Sequence, residues 1–130
     1  MTEQAPAGKT VLIVDDDPFF QEGAAFLLQQ AGFEVVQAKN GKEALHLLHG
    51  GLKPSVILLD MLMPIVDGWK FLEERRQVPA LWSVPVVVLT GLGVASSDWA
   101  DSLGCSGFLR KPVDVQALLD EVKRIVNQET

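Results

Sequence analysis

Three carboxylates close an apolar run in VLIVDDDP (residues 11–18), and a second run, VILLDMLMP (56–64), delivers Asp60 before turning at Pro64. A third, VPVVVLTG (84–91), ends in Thr90 and Gly91, and GFLRKP (107–112) runs into Lys111. Acid, acid, hydroxyl and ammonium at the ends of four such runs form a set that packing does not explain. Carboxylates ~5 Å apart repel by roughly 3 kcal/mol per pair at an effective dielectric near 20. A hard divalent cation relieves that repulsion, and oxygen-only ligands suit Mg²⁺. Carboxylates, a metal and a lysine are the parts that phosphoryl transfer needs. Asp60, alone at the end of its run, is the nucleophile of choice, with Asp15 and Asp16 as the metal-binding pair. Thr90 is placed to hydrogen-bond a phosphoryl oxygen, and Gly91 leaves room beside it.

The elements that must position these groups alternate in type. Short apolar, β-branched runs at 10–14, 34–38, 55–59, 85–89 and 107–109 read as strands. Helix-length segments lie between and after them. Residues 18–31 place Phe20, Ala24, Leu27, Leu28 and Ala31 on one face, with Gly32 just beyond. Asn40 can cap 41–49, with Ala44, Leu45 and Leu48 inward. Residues 68–76 offer Phe71, Leu72 and Arg75. Residues 115–127 carry Val115, Leu118, Leu119, Val122, Ile125 and Val126 at helical spacing, whereas 96–103 has only Trp99, Ala100 and Leu103 to bury.

Alternation of this kind predicts an α/β fold, a doubly wound parallel sheet of five strands with five helices on both faces. The flavodoxin-like order 2-1-3-4-5 makes strands 1 and 3 neighbours, so Asp15, Asp16 and Asp60 converge where open sheets hold ligands. The domain is expected over 10–127, with a disordered tail at 1–9 and a short one at 128–130.

In this order and spacing, VLIVDDDP, VILLDMLMPIVDG, VPVVVLTG and GFLRKP resemble the receiver domain of two-component response regulators, from about Thr10 to Asn127. The resemblance implies that Asp60 accepts phosphate from a phosphohistidine on a histidine kinase or a histidine phosphotransfer protein. It implies Mg²⁺, with Mn²⁺ as a substitute, held directly by Asp16, partly through water by Asp15, and by Asp60 and the backbone carbonyl of Leu62. Lys111 would bridge Asp60 and the phosphoryl group, Thr90 would report its arrival, and Phe108 would change rotamer. It further implies a cis bond before Pro112, self-promoted phosphorylation and dephosphorylation, and an output to an unknown downstream protein through the face of helix 4, strand 5 and helix 5. Phe108 stands where tyrosine is frequent, Val113 where phenylalanine is common, and Leu62 and Leu92 are apolar beside the attacking water's route.

Other polar and soft side chains have plainer readings. Asp17 suits a helix N-terminus, His46 and His49 a solvated helical face, Met61 and Met63 packing, and Cys105 a small buried filler. Asp67-Gly68 reads as a turn and helix start. Trp69, Trp82 and Trp99 are too scattered for a stacking platform.

Composition narrows the classes further. A net charge of −6 argues against direct nucleic-acid or anionic-membrane binding. A single cysteine admits no internal disulfide and fits a cytoplasmic setting. No apolar stretch reaches the ~20 residues of a membrane span. No G-x-x-x-x-G-K is present, so a P-loop enzyme is excluded. Two rivals remain: a haloacid-dehalogenase-like phosphatase using Asp15 and Asp17, which leaves Asp60 unexplained, and a degenerate receiver serving as an unphosphorylated interaction module. No effector region is expected after the fifth helix, which leaves the output open between a single-domain regulator and part of a larger protein.

Overall fold

The computed structural model describes residues 9–63, 66–91 and 95–128. The expected tails fall mostly outside these residues, as does Leu92. Five parallel strands, β1 (Thr10–Val14), β2 (Glu34–Ala38), β3 (Val56–Asp60), β4 (Val86–Thr90) and β5 (Gly107–Arg110), pair in the order β2-β1-β3-β4-β5. The doubly wound, flavodoxin-like arrangement is therefore observed. Five helices accompany the strands: α1 (Pro18–Gln30), α2 (Gly41–His49), α3 (Gly68–Arg76), α4 (Ser97–Ser102) and α5 (Val115–Asn127).

Strand alternation divides the core in two. Val11, Ile13, Val56, Leu58, Val87 and Leu89 pack with Ala24, Leu28, Leu118 and Val122, the α1 and α5 side. Leu12, Val14, Ile57, Leu59, Val86 and Val88 pack with Ala44, Leu48, Phe71 and Ala100, the side of α2, α3 and α4. Buried on both faces, β1, β3 and β4 need the continuous apolar runs they have. Edge strands β2 and β5 are only partly buried.

Capping fixes where the helices begin. Asp17, Asn40, Asp67, Ser96 and Asp114 each accept a hydrogen bond from a first-turn amide. His46 and His49 are exposed on α2, and Cys105 is buried.

Several boundaries differ from expectation. Strands β3 and β4 each run one residue later than 55–59 and 85–89, because backbone pairing continues past the apolar stretch: Asp60 lies opposite Leu89 and Thr90 opposite Arg110. Helix α1 ends at Gln30, with Ala31 as its C-cap. Val115, which shares the helical spacing of the apolar face, is 55% exposed at the first residue of α5. A one-turn 3₁₀ helix at Pro79–Leu81 was not foreseen. Arg75 stabilises the segment after it, donating to the carbonyls of Trp82 and Val84 at 3.2 and 2.7 Å. Trp69 of α3 and Trp99 of α4 meet edge to face, with ring centroids 5.8 Å apart and planes at 81°.

Candidate functional site

At the carboxyl edge of the sheet, β1 passes directly into Asp15, which is 1% exposed, and then into exposed Asp16. Neighbouring β3 ends in Asp60, which is 4% exposed. Ligand oxygens from Asp15, Asp16 and Asp60 all lie within 4.8 Å of one another. Lys111, just after β5, reaches across so that its Nζ lies 3.1 Å from Asp15 Oδ2 and 3.3 Å from Asp60 Oδ1. Its ammonium also sits over the Phe20 ring at 5.8 Å.

Local backbone holds the carboxylates in place. Asp15 Oδ1 accepts the Asp17 amide at 2.8 Å, and Asp60 Oδ1 accepts the Leu62 amide at 3.3 Å. Leu62 itself is exposed in the loop after β3. Thr90, the last residue of β4, is 2% exposed. Gly91 follows with nothing within 4 Å of where a Cβ would stand, so room exists beside Thr90 but glycine is not sterically required. The Lys111-Pro112 bond is cis.

Phe108 lies farther along β5, half-buried against the α2/α3/α4 side, with the Arg110 guanidinium 5.9 Å from its ring centroid. Arg110 also donates to the Ala95 carbonyl at 2.9 Å, joining β5 to the segment before α4.

The electrostatics follow from burial. Desolvation, reinforced by Asp15, pushes the Asp60 carboxyl up to about 6, while Lys111 and the Leu62 amide pull the other way. Burial disfavours the Lys111 ammonium, but hydrogen bonds and charges from Asp15 and Asp60 outweigh it and leave its pKa above the ordinary value. Crowded oxygens and one raised carboxyl, with the Lys111 ammonium against two of the three carboxylates, make a donor set that fits a hard divalent cation.

Removing that ammonium exposes the imbalance. Breaking a buried ion pair costs about 3–5 kcal/mol, but Lys111 is 32% exposed, so Lys111→Met should destabilise the metal-free fold by only about 1–2 kcal/mol. The loss should shrink in an Asp60→Asn background, measured by urea unfolding. Equal losses in both backgrounds would mean that Lys111 acts through packing instead.

Gln21 was missed in the sequence and lies directly behind the Asp15 backbone, buried in α1. The signal was available: positions 21, 24, 25 and 28 form one helical stripe, and 21 is its only polar member.

Residues 11–123 match the sequence model of the response regulator receiver domain. The chain belongs to that family. The receiver is similar to the response regulator Rre1 of Synechocystis sp., 37% identical over 119 residues, which cover 90% of this chain and 49% of that protein. A crystal structure of a putative response regulator from Chloroflexus aurantiacus is 36% identical with a TM-score of 0.82, covering 92% of this chain and 98% of that one. Chemotaxis protein CheY4 of Vibrio cholerae gives 30% and 0.81, covering 92% and 99%. The receiver spans about half the length of the first curated relatives it matches. As a receiver it is a signalling domain of two-component systems, which sets aside the haloacid-dehalogenase-like phosphatase. Among the described residues, no helix is long and apolar enough to cross a membrane.

Proposed function

We propose that this receiver takes a phosphoryl group onto Asp60 from the phosphohistidine of a histidine kinase or histidine phosphotransfer protein. The observation carrying this reading is the convergence of three carboxylates and Lys111 at one sheet edge. A carboxyl pKa of about 6 leaves Asp60 largely ionised at neutral pH, as a nucleophile must be. One Asp60 oxygen attacks phosphorus, the phosphorus–nitrogen bond breaks, and the electron pair returns to the imidazole.

Lys111, already 3.3 Å from Asp60, exchanges part of its carboxylate contact for a phosphoryl oxygen. Thr90, buried at the end of the adjacent strand, supplies a hydroxyl to the same group. Asp15, Asp16, Asp60 and the Leu62 carbonyl hold Mg²⁺, or Mn²⁺ in its place. The bound ion supplies neutralisation of the charge on the phosphoryl oxygens. By this chemistry the domain promotes its own phosphorylation and dephosphorylation.

Output passes through Thr90 and Phe108 to the surface of α4, β5 and α5, where a downstream protein docks. Helix α4 is the element easiest to shift, with six residues and Ala100 alone fully buried. Residues 10–127 are the unit that performs these steps.

Acetyl phosphate with Mg²⁺ provides the test, read by intact mass. The wild-type protein should gain one base-labile phosphoryl group, and chelation should prevent it. Asp16→Ala should weaken Mg²⁺ binding at least about tenfold, the lower end of what even outer ligand partners cost. A wild-type chain that binds no Mg²⁺ and takes no phosphate would revive the unphosphorylated interaction module.

A further inference from the structure

Gln21 is 6% exposed, a polar side chain among the buried residues of α1. Its Nε2 lies 3.1 Å from the Ile13 carbonyl, 3.0 Å from the Asp15 carbonyl and 2.8 Å from the Ala38 carbonyl. The Ala38 carbonyl also accepts the Asp15 amide at 3.1 Å. A primary amide has two hydrogens, so one must be shared among these three acceptors. A single nitrogen thus ties the end of β1 to the end of β2. The tie falls at the peptide carrying Asp15 and just before Asp16.

Stability alone is a poor reason for this side chain. Its Oε1 is buried without a hydrogen-bond partner among the described residues, and an unsatisfied buried acceptor is unfavourable. What the amide secures instead is geometry. Asp15 projects from a backbone held on both sides, by its own amide to Ala38 and by its carbonyl to Gln21. The Asp17 amide then closes back onto Asp15 Oδ1.

We propose that Gln21 is a positioning residue that fixes the backbone bearing Asp15 and Asp16 and thereby sets the affinity of their site for a divalent cation. This rests on the assignment of those two residues as metal ligands. Partners outside the ligand sphere commonly govern affinity in this way, because a ligand held at the right angle loses no freedom on binding.

Gln21→Met keeps the length and removes the donor. Leu28→Ala, in the same buried stripe of α1, is the control for stability. Two measurements decide. With chelator present, amide hydrogen exchange at Asp15 and Asp17 should quicken about tenfold in Gln21→Met, after correction for global unfolding, and stay unchanged in Leu28→Ala. Calorimetric titration with MgCl₂ should then show affinity weakened about 10–100-fold in Gln21→Met and wild-type affinity in the control. Should Gln21→Met fail to fold, Gln21→Asn withdraws the donor by one methylene and should move both readouts the same way, less far. Wild-type Mg²⁺ affinity in these variants, or a loosening spread evenly over the domain, overturns the proposal. If the wild-type protein shows no Mg²⁺ affinity, the ligand assignment falls, and the exchange measurement still decides whether Gln21 holds this backbone.

Discussion

Asp60→Asn should abolish phosphorylation and, in the metal-free protein, raise stability. The first effect follows from removing the nucleophile: acetyl phosphate and Mg²⁺ should label the variant no more than background. Labelling equal to wild type would move the acceptor to another residue. The second follows from the raised carboxyl. Folding carries Asp60 from 3.8 to about 6, so the folded state disfavours its charge. Below pH ~4 the group is protonated in both states and contributes nothing. Through the window from about 4 to 6 the unfolded chain ionises more readily, and the fold loses stability as pH rises. Above that window the loss is complete, at roughly 3 kcal/mol. Asparagine escapes it. The advantage of Asp60→Asn over wild type, measured by urea unfolding in chelator, should therefore open between pH 4 and 6 and level off above. Mg²⁺ should narrow the gap by stabilising wild type through binding. A constant gap at every pH would trace the gain to something other than charge.

Gly68→Ala should be among the most damaging single-methyl changes. A Cβ there would stand 2.6 Å from both the Met61 Cα and Sδ and 2.8 Å from the Asp60 carbonyl oxygen. Two of these atoms are backbone, and Met61 is fully buried, so the strain has no cheap outlet. The Gly68 amide also donates to the Met61 carbonyl at 3.1 Å, which pins the start of α3 to the residue after Asp60. Overpacking of this kind costs about 3 kcal/mol. Gly23→Ala is the informative contrast. Nothing lies within 4 Å of its Cβ, and alanine in an exposed helix interior should stabilise by about 0.5–1 kcal/mol. Denaturant midpoints give both numbers. A Gly68→Ala loss under ~1 kcal/mol would show that the loop after β3 yields more easily than its contacts suggest.

These residues also show what could be read in advance. The central strands were legible because burial on both faces demands unbroken apolar runs, and their polar ends then stand out. The ends of β3 and β4, unlike that of β1, were misplaced by one residue, since backbone pairing is indifferent to side-chain polarity and continues into Asp60 and Thr90. Gln21 escaped notice because a polar residue in a helical stripe reads as a flaw in the pattern until its three carbonyl partners are known. The turn at Pro79–Leu81 is too short for any period to register. Val115 obeyed the spacing yet is exposed at the first residue of its helix, where periodicity alone does not decide burial.

The edge-to-face contact between Trp69 and Trp99 has an optical consequence. Two indoles at 5.8 Å and 81° are close enough for their electronic transitions to mix. Their combined circular dichroism then depends on the angle between the rings more than on the surroundings of either. One chromophore rides on α3, which begins just after the Asp60 loop, and the other on α4, which follows Thr90. The domain thus carries a label-free chiroptical gauge of the relative setting of the two helices that flank its acidic edge.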